Sequence, residues 1–141
     1  MNTIPKWFLP LSIVALLWNL MGCAAYLSDA MISADDIAAM DAAQQALYAL
    51  ERPAWSIAGT AIAVWLGALG CLGLILKKAW AMPLLIVSLI GVIVQDLWLF
   101  ILSDAAKLAG NAVFILQGLV FVIAVGLVVL ATKAKSNQWL S

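Results

Sequence analysis

The chain has 141 residues, 67% of them hydrophobic and 10% charged, and its seven basic and seven acidic side chains cancel to a formal charge of zero. Soluble domains carry roughly 45–50% apolar residues, so lipid is the expected solvent, and a neutral balance gives nucleic acid no basic face to bind. Histidine is absent, which removes the commonest general base and metal ligand, and Cys23 and Cys71 form no CxxC pair.

A helix needs about 20 mostly apolar residues to cross the hydrocarbon. Four stretches meet that length, and lipid permits only structures whose backbone groups pair internally. The expected fold is therefore a single-domain, all-α integral membrane protein: an antiparallel four-helix transmembrane bundle with a short amphipathic outer helix.

The first span, residues 7–27, is interrupted only by Ser12 and Asn19. Lys6, the apolar run and Leu20-Met21-Gly22-Cys23 also resemble a lipoprotein signal with Cys23 as the lipidated residue. The run is longer than a secretory signal core, which favours an uncleaved span. The connector that follows holds Asp29, Asp35, Asp36, Asp41 and Glu51. Ser33 and Asp36 have the spacing of a capping box. Ile37, Met40, Ala43, Leu47 and Leu50 then recur at helical intervals until Pro53, predicting an amphipathic helix over 34–51 on the outer surface or over the bundle mouth. Its acids form a solvated, helix-capping face or a docking surface. A calcium site from Asp35, Asp36 and Asp41 would lack the glycine turn and closing glutamate of a calcium loop.

The second span, 54–76, carries small residues at Gly59, Ala63, Gly67, Gly70 and Gly73. Such a strip lets another backbone approach closely in lipid, where small residues drive helix contacts. It serves either the internal bundle or a dimer. The third span, 81–102, contains Ser88, Gln95 and Asp96; the fourth, 112–130, contains Gln117, with Gly118 and Gly126 on one face. Counted inward from the outer span ends, Asp96 is six residues deep, Gln117 five and Asn19 eight. Asn19, Gln95, Asp96 and Gln117 are thus expected to share one polar layer. An acid within a span faces the bundle interior or water and is a functional hypothesis by default. The layer reads as a hydrogen-bonded knot, as a proton- or solute-coupled site opening outward, or as a contact to a partner subunit or quinone-like lipid. Cys23 and Cys71 are expected to lie about 15 Å apart along the axis, too far for a disulfide.

Lys6, Lys77, Lys78, Lys133 and Lys135 fall on one side of the four-span arrangement, and Arg52 and Lys107 on the other. The positive-inside rule then places both ends in the cytoplasm, with Trp7, Trp55 and Trp80 at span ends.

Trp18-Asn19-Leu20-Met21-Gly22, the Gln44-x-x-Leu47-Tyr48-x-x-x-x-Pro53-x-Trp55 segment, the run Val64-Trp65-Leu66-Gly67-Ala68-Leu69-Gly70-Cys71, and Ser88-Leu89 with a late glutamine resemble small four-span bacterial inner-membrane proteins, many labelled sugar transporters. The likeness covers most of residues 7–102 and implies bacterial origin and an inner-membrane helical fold. Length and span count also match the small multidrug transporters, whose first span carries a glutamate; Asn19 stands here instead.

No nucleophile has a general base beside it in sequence, so no enzyme, cofactor or metal is expected. The leading expectation is a non-catalytic accessory subunit that packs against a membrane partner or itself. The alternative is a small-solute transporter, proton-coupled through Asp96, acting as an oligomer.

Overall fold

A computed structural model describes residues 4–50, 52–105, 107 and 110–141; Glu51 lies outside them. All regular structure among the described residues is helical: α1 (Phe8–Ala30), α2 (Ala34–Ala38), α3 (Ala42–Ala49), α4 (Ala54–Ile75), α5 (Ala81–Asp96), a π-helical segment (Leu97–Leu102) and α6 (Asn111–Ser136). Four of these stretches are long and apolar enough to cross a membrane. The side chains they leave uncovered are apolar too: Val14, Met21, Ile115 and Val122 are 62 to 75% exposed, an uncovered apolar surface that soluble monomers rarely tolerate.

Proline marks where the helices begin. Pro10 and Pro83 sit in the first turns of α1 and α5, and Pro53 is the residue before α4, positions where a missing N–H removes no helical bond. The long helices differ from expectation mainly at their ends. α1 runs to Ala30 rather than 27, and α6 to Ser136 rather than 130, because polar residues such as Ser28 and Lys133 continue a helix that hydropathy alone would end. The third span changes to π geometry at Leu97.

The outer segment is two helices rather than one over 34–51. Ser33 accepts from the Asp36 N–H while Asp36 accepts from the Ser33 N–H, the capping box expected of them. Asp41 then caps a second helix by accepting from the Gln44 N–H at 2.8 Å. A residue favoured at N-caps over helix interiors thus divides the segment, so Asp41 does not share a helical face with Asp35 and Asp36.

α4 packs against α5 and α1, α5 packs against α6, and α1 and α6 share no extended interface. The small-residue strip of α4 makes the closest of these contacts. Gly59, Ala63, Gly67, Gly70 and Gly73 are all buried. A Cβ added at Gly70 would lie 2.6 Å from Leu85, and one at Gly73 would lie 2.8 Å from Ala81. The strip therefore receives α5 within the chain and offers no free face to a second copy. Gly91 completes the contact from α5, where a Cβ would stand 2.6 Å from the Gly59 carbonyl oxygen and 2.8 Å from the Ala63 nitrogen.

Residues 137–141 close one end of the molecule. Gln138 adopts φ 64° and turns the chain back, so that the Ser141 N–H donates to Lys77 O at 2.8 Å and the Ala79 N–H to Ser141 O at 2.9 Å. Trp139, 7% exposed, packs edge-on to Phe8 with ring centroids 5.4 Å apart. The starts of α1 and α5 and the ends of α4 and α6 are thereby joined around Phe8, Leu74, Ala81 and Ala131.

Because Gly91 meets backbone atoms, which cannot swing aside, Gly91→Ala should destabilise the protein by about 1–3 kcal/mol. Gly118→Ala on α6, where nothing lies within 4 Å, should be neutral. Thermal unfolding of both variants in one detergent checks this pair.

Candidate functional site

Where α1 and α6 diverge, a cavity of about 760 Å³ opens among α1, α4, α5, α6 and the outer segment. This is within the range of about 300–1,000 Å³ usual for ligand pockets. On α5 the lining residues Leu85, Ser88, Val92 and Gln95 recur at three- and four-residue intervals, one face of the helix. Trp98 and Leu99 extend that face into the π segment. Leu47, Tyr48 and Leu50 reach the cavity from the segment between α1 and α4, whereas Ile37 and Met40 of the same expected apolar face do not.

A line of hydrogen bonds crosses the upper cavity. Arg52 donates from Nε to Ser56 Oγ at 3.0 Å and from Nη2 to both Ser56 O, at 3.3 Å, and Thr60 Oγ1. Thr60 Oγ1 donates to Gln95 Oε1 at 2.6 Å, and Gln95 Nε2 to Gln117 Oε1 at 3.4 Å. Three long helices and Arg52, two residues before α4, are thus linked. The Arg52 guanidinium also lies 5.5 Å from the centroid of a Trp98 ring, within cation–π range. Burial lowers the Arg52 pKa, partly offset by the nearby negative charge of Asp29. On the α1 side of the mouth Asp29 Oδ1 accepts from the Tyr48 hydroxyl at 2.7 Å. That bond, with smaller contributions from burial and the Asp29 charge, pushes the Tyr48 pKa up to about 12.

A second polar group lies deeper. Asn19 Nδ2 donates to Ala15 O at 2.9 Å and to Cys71 Sγ at 3.4 Å, and its Oδ1 occupies the space a Cβ on Gly67 would need. Ser88 Oγ donates to Ala63 O at 2.6 Å. Ser88 precedes Gln95 by seven residues, about 10 Å along α5. The single polar layer expected of Asn19, Gln95, Asp96 and Gln117 is therefore divided. Gln95 and Gln117 meet, Asn19 belongs to the lower level, and Asp96 bonds to none of them. The longer α1 accounts for Asn19, which lies eleven residues, not eight, from the helix end. Asp96 is turned about 100° from Gln95 around the helix and does not line the cavity. Its Oδ1 is buried without a hydrogen-bond partner among the described residues.

Cys23 and Cys71 are both free, as spacing indicated. Cys23 donates to Val64 O at 3.3 Å and Cys71 receives Asn19. Asp36 and Asp41 serve as helix caps, and Asp35 is exposed. Lys107 pairs with Asp104 at 3.8 Å on the surface. Among the described residues no three His, Cys, Asp or Glu side chains stand close enough to hold a metal. Sequence reading missed Thr60 and Tyr48 as members of the site. The signal available was their position just outside or just inside the start of α4, at the level where Gln95 and Gln117 emerge.

No family model, curated protein or solved structure matches this chain.

Gln95 and Asp96 should respond in opposite directions. Gln95→Leu breaks the link between Thr60 and Gln117 and should lower stability by roughly 0.6–1.7 kcal/mol, the range of interhelical bonds in membranes. Asp96→Leu removes an unpartnered buried acceptor and should raise stability or leave it unchanged. Reversible unfolding in mixed micelles distinguishes the two signs.

Proposed function

We propose that the protein is a multi-pass inner-membrane protein, an antiparallel four-helix bundle with both ends cytoplasmic, that holds a small solute in its cavity as a step in transfer across or out of the bilayer. The observation that carries this reading is the cavity of about 760 Å³, open beside Arg52 and reaching past Asn19 and Ser88 to Leu85 and Leu127. The orientation draws on charge. Lys6, Lys77, Lys78, Lys133 and Lys135 gather at the end closed by Trp139, whereas Arg52 borders the mouth. By the positive-inside rule the cavity then faces away from the cytoplasm.

The accessory-subunit reading drew on the glycine strip of α4, the acidic outer helix and the lack of a reactive constellation. That strip is filled by α5 and by Asn19 of α1, so it lends no support to a partner helix. The transporter reading called for a cavity reaching the polar layer and for loss of uptake on Asp96→Asn; the lining of the cavity by Asn19, Gln95 and Gln117 supports the first. Proton coupling through Asp96 gains no support, because Asp96 is outside that lining.

Proteoliposomes containing the protein, challenged with labelled sugars, amino acids and single-chain lipids, test the proposal. At least one compound should move faster than through protein-free vesicles, and Ser88→Leu, in the cavity lining, should slow it about tenfold or more in protein that remains folded. Wild-type protein that accelerates none of them, yet co-purifies with a stable membrane partner, would favour the accessory role.

A further inference from the structure

Two opposite charges border the cavity mouth without bridging each other. Asp29 comes from the end of α1 and Arg52 from the residues before α4. Among the described residues the one ion pair is Lys107–Asp104. Neutral groups hold each charge in place: Tyr48 on Asp29 Oδ1, and Ser56 and Thr60 on Nε and Nη2 of Arg52. Asp29 Oδ2 and Arg52 Nη1 have no hydrogen bond to the described residues. A guanidinium and a carboxylate oriented by neutral partners match a ligand that carries both signs.

Away from the mouth the cavity changes character. Through Trp18, Ile123 and Leu127 it adjoins a second cleft of about 350 Å³ between α1 and α6, whose other walls are Leu11, Val14 and Leu130. No charged side chain lines this cleft, and because α1 and α6 share no extended interface, it is a slot between two helices that face lipid. A polar, doubly charged mouth continuous with an apolar slot has the shape of an amphiphile.

Building on the solute-binding reading, we propose that the cavity takes a single-chain zwitterionic lipid of the phosphoethanolamine class, which enters sideways between α1 and α6. Its phosphate meets Arg52, its ammonium meets Asp29, and its acyl chain lies along Trp18 in the slot. The chain gains little over the bilayer it leaves, since lipid tails are as apolar as the slot. Selectivity therefore resides in the head. A primary ammonium donates hydrogen bonds to Asp29, whereas a choline head cannot, and a glycerol head supplies no positive charge at all.

Tryptophan quenching in nanodiscs of unbrominated phosphatidylcholine tests this. The probe is lysophosphatidylethanolamine with a dibrominated stearoyl chain, compared with the lysophosphatidylcholine and lysophosphatidylglycerol of the same chain. Saturable quenching is expected, favouring the ethanolamine head about tenfold or more, as loss of a charge-assisted hydrogen bond implies, and reduced in amplitude by Trp18→Phe. Asp29→Asn should narrow the preference over the glycerol head, Arg52→Gln should weaken all three lipids, and Arg52→Lys should retain the ranking if Arg52→Gln proves unstable. Equal or unsaturable quenching by the three heads overturns the proposal. Competition by glycerophosphoethanolamine as effective as by the intact lysolipid overturns the part assigned to the chain, leaving a free zwitterion. If another solute is moved in proteoliposomes while these lipids fail, only the present inference falls; if no solute binds or moves, the solute-binding reading falls with it.

Discussion

The architecture turns on Gly67. Asn19 of α1 and Ser88 of α5 both press into the space that any side chain at this position would occupy, so α1, α4 and α5 meet at a point where α4 contributes only backbone. Lipid supplies no hydrophobic force to draw helices together, and close van der Waals packing takes its place. Gly59, Gly70, Gly73 and Gly91 repeat the same solution along the α4–α5 contact. With α4 central and α5 against it, α1 is held on one side and α6 on the other. Those two outer helices share no extended interface, and at the closed end Phe8 of α1 packs edge-on to Trp139, which follows α6. The cavity is a consequence of that spacing: two helices pinned at one end and kept apart at the other.

Polarity follows the same geometry. Side-chain amides and hydroxyls are tolerated within spans when they find partners across helices, and the cavity wall is where Thr60, Gln95 and Gln117 do so. Ser88 and Asn19, deeper in, bond mainly to backbone carbonyls. Both levels join separate helices: the upper groups tie α4, α5 and α6, and the lower ones tie α1 and α5 to α4. Arg52 terminates the upper line with a charge that bonds to neutral oxygens and rests near Trp98, a position from which it can still face the mouth.

Much of the helical content was legible in the sequence, because apolar runs of span length admit few alternatives. The small residues of α4 were legible as a packing face, and Ser33 with Asp36 as a helix start. Asp41 was not, since an aspartate at helical spacing can equally be a member or a cap. Side-chain depth was less readable than helix position. Asn19 was misplaced because α1 continues through Ser28 and Asp29, and counting from the last apolar residue shortens the helix. Asp96 and Gln95 were treated as one feature, although adjacent residues point about 100° apart and only Gln95 lines the cavity. The mouth itself depended on Tyr48 folding back to Asp29, a pairing across a connector that no local pattern encodes.

The cavity exists only if α6 turns one face toward it and the opposite face outward. Val120 lines the cavity and Val122, 65% exposed, does not. Single cysteines at these two positions, in delipidated protein returned to bilayers, can be timed against a small charged thiol reagent that reacts only where water reaches. Much faster modification of Val120→Cys than of Val122→Cys is the predicted result. Equal rates, or the reverse order, would contradict the cavity and the helix arrangement that creates it.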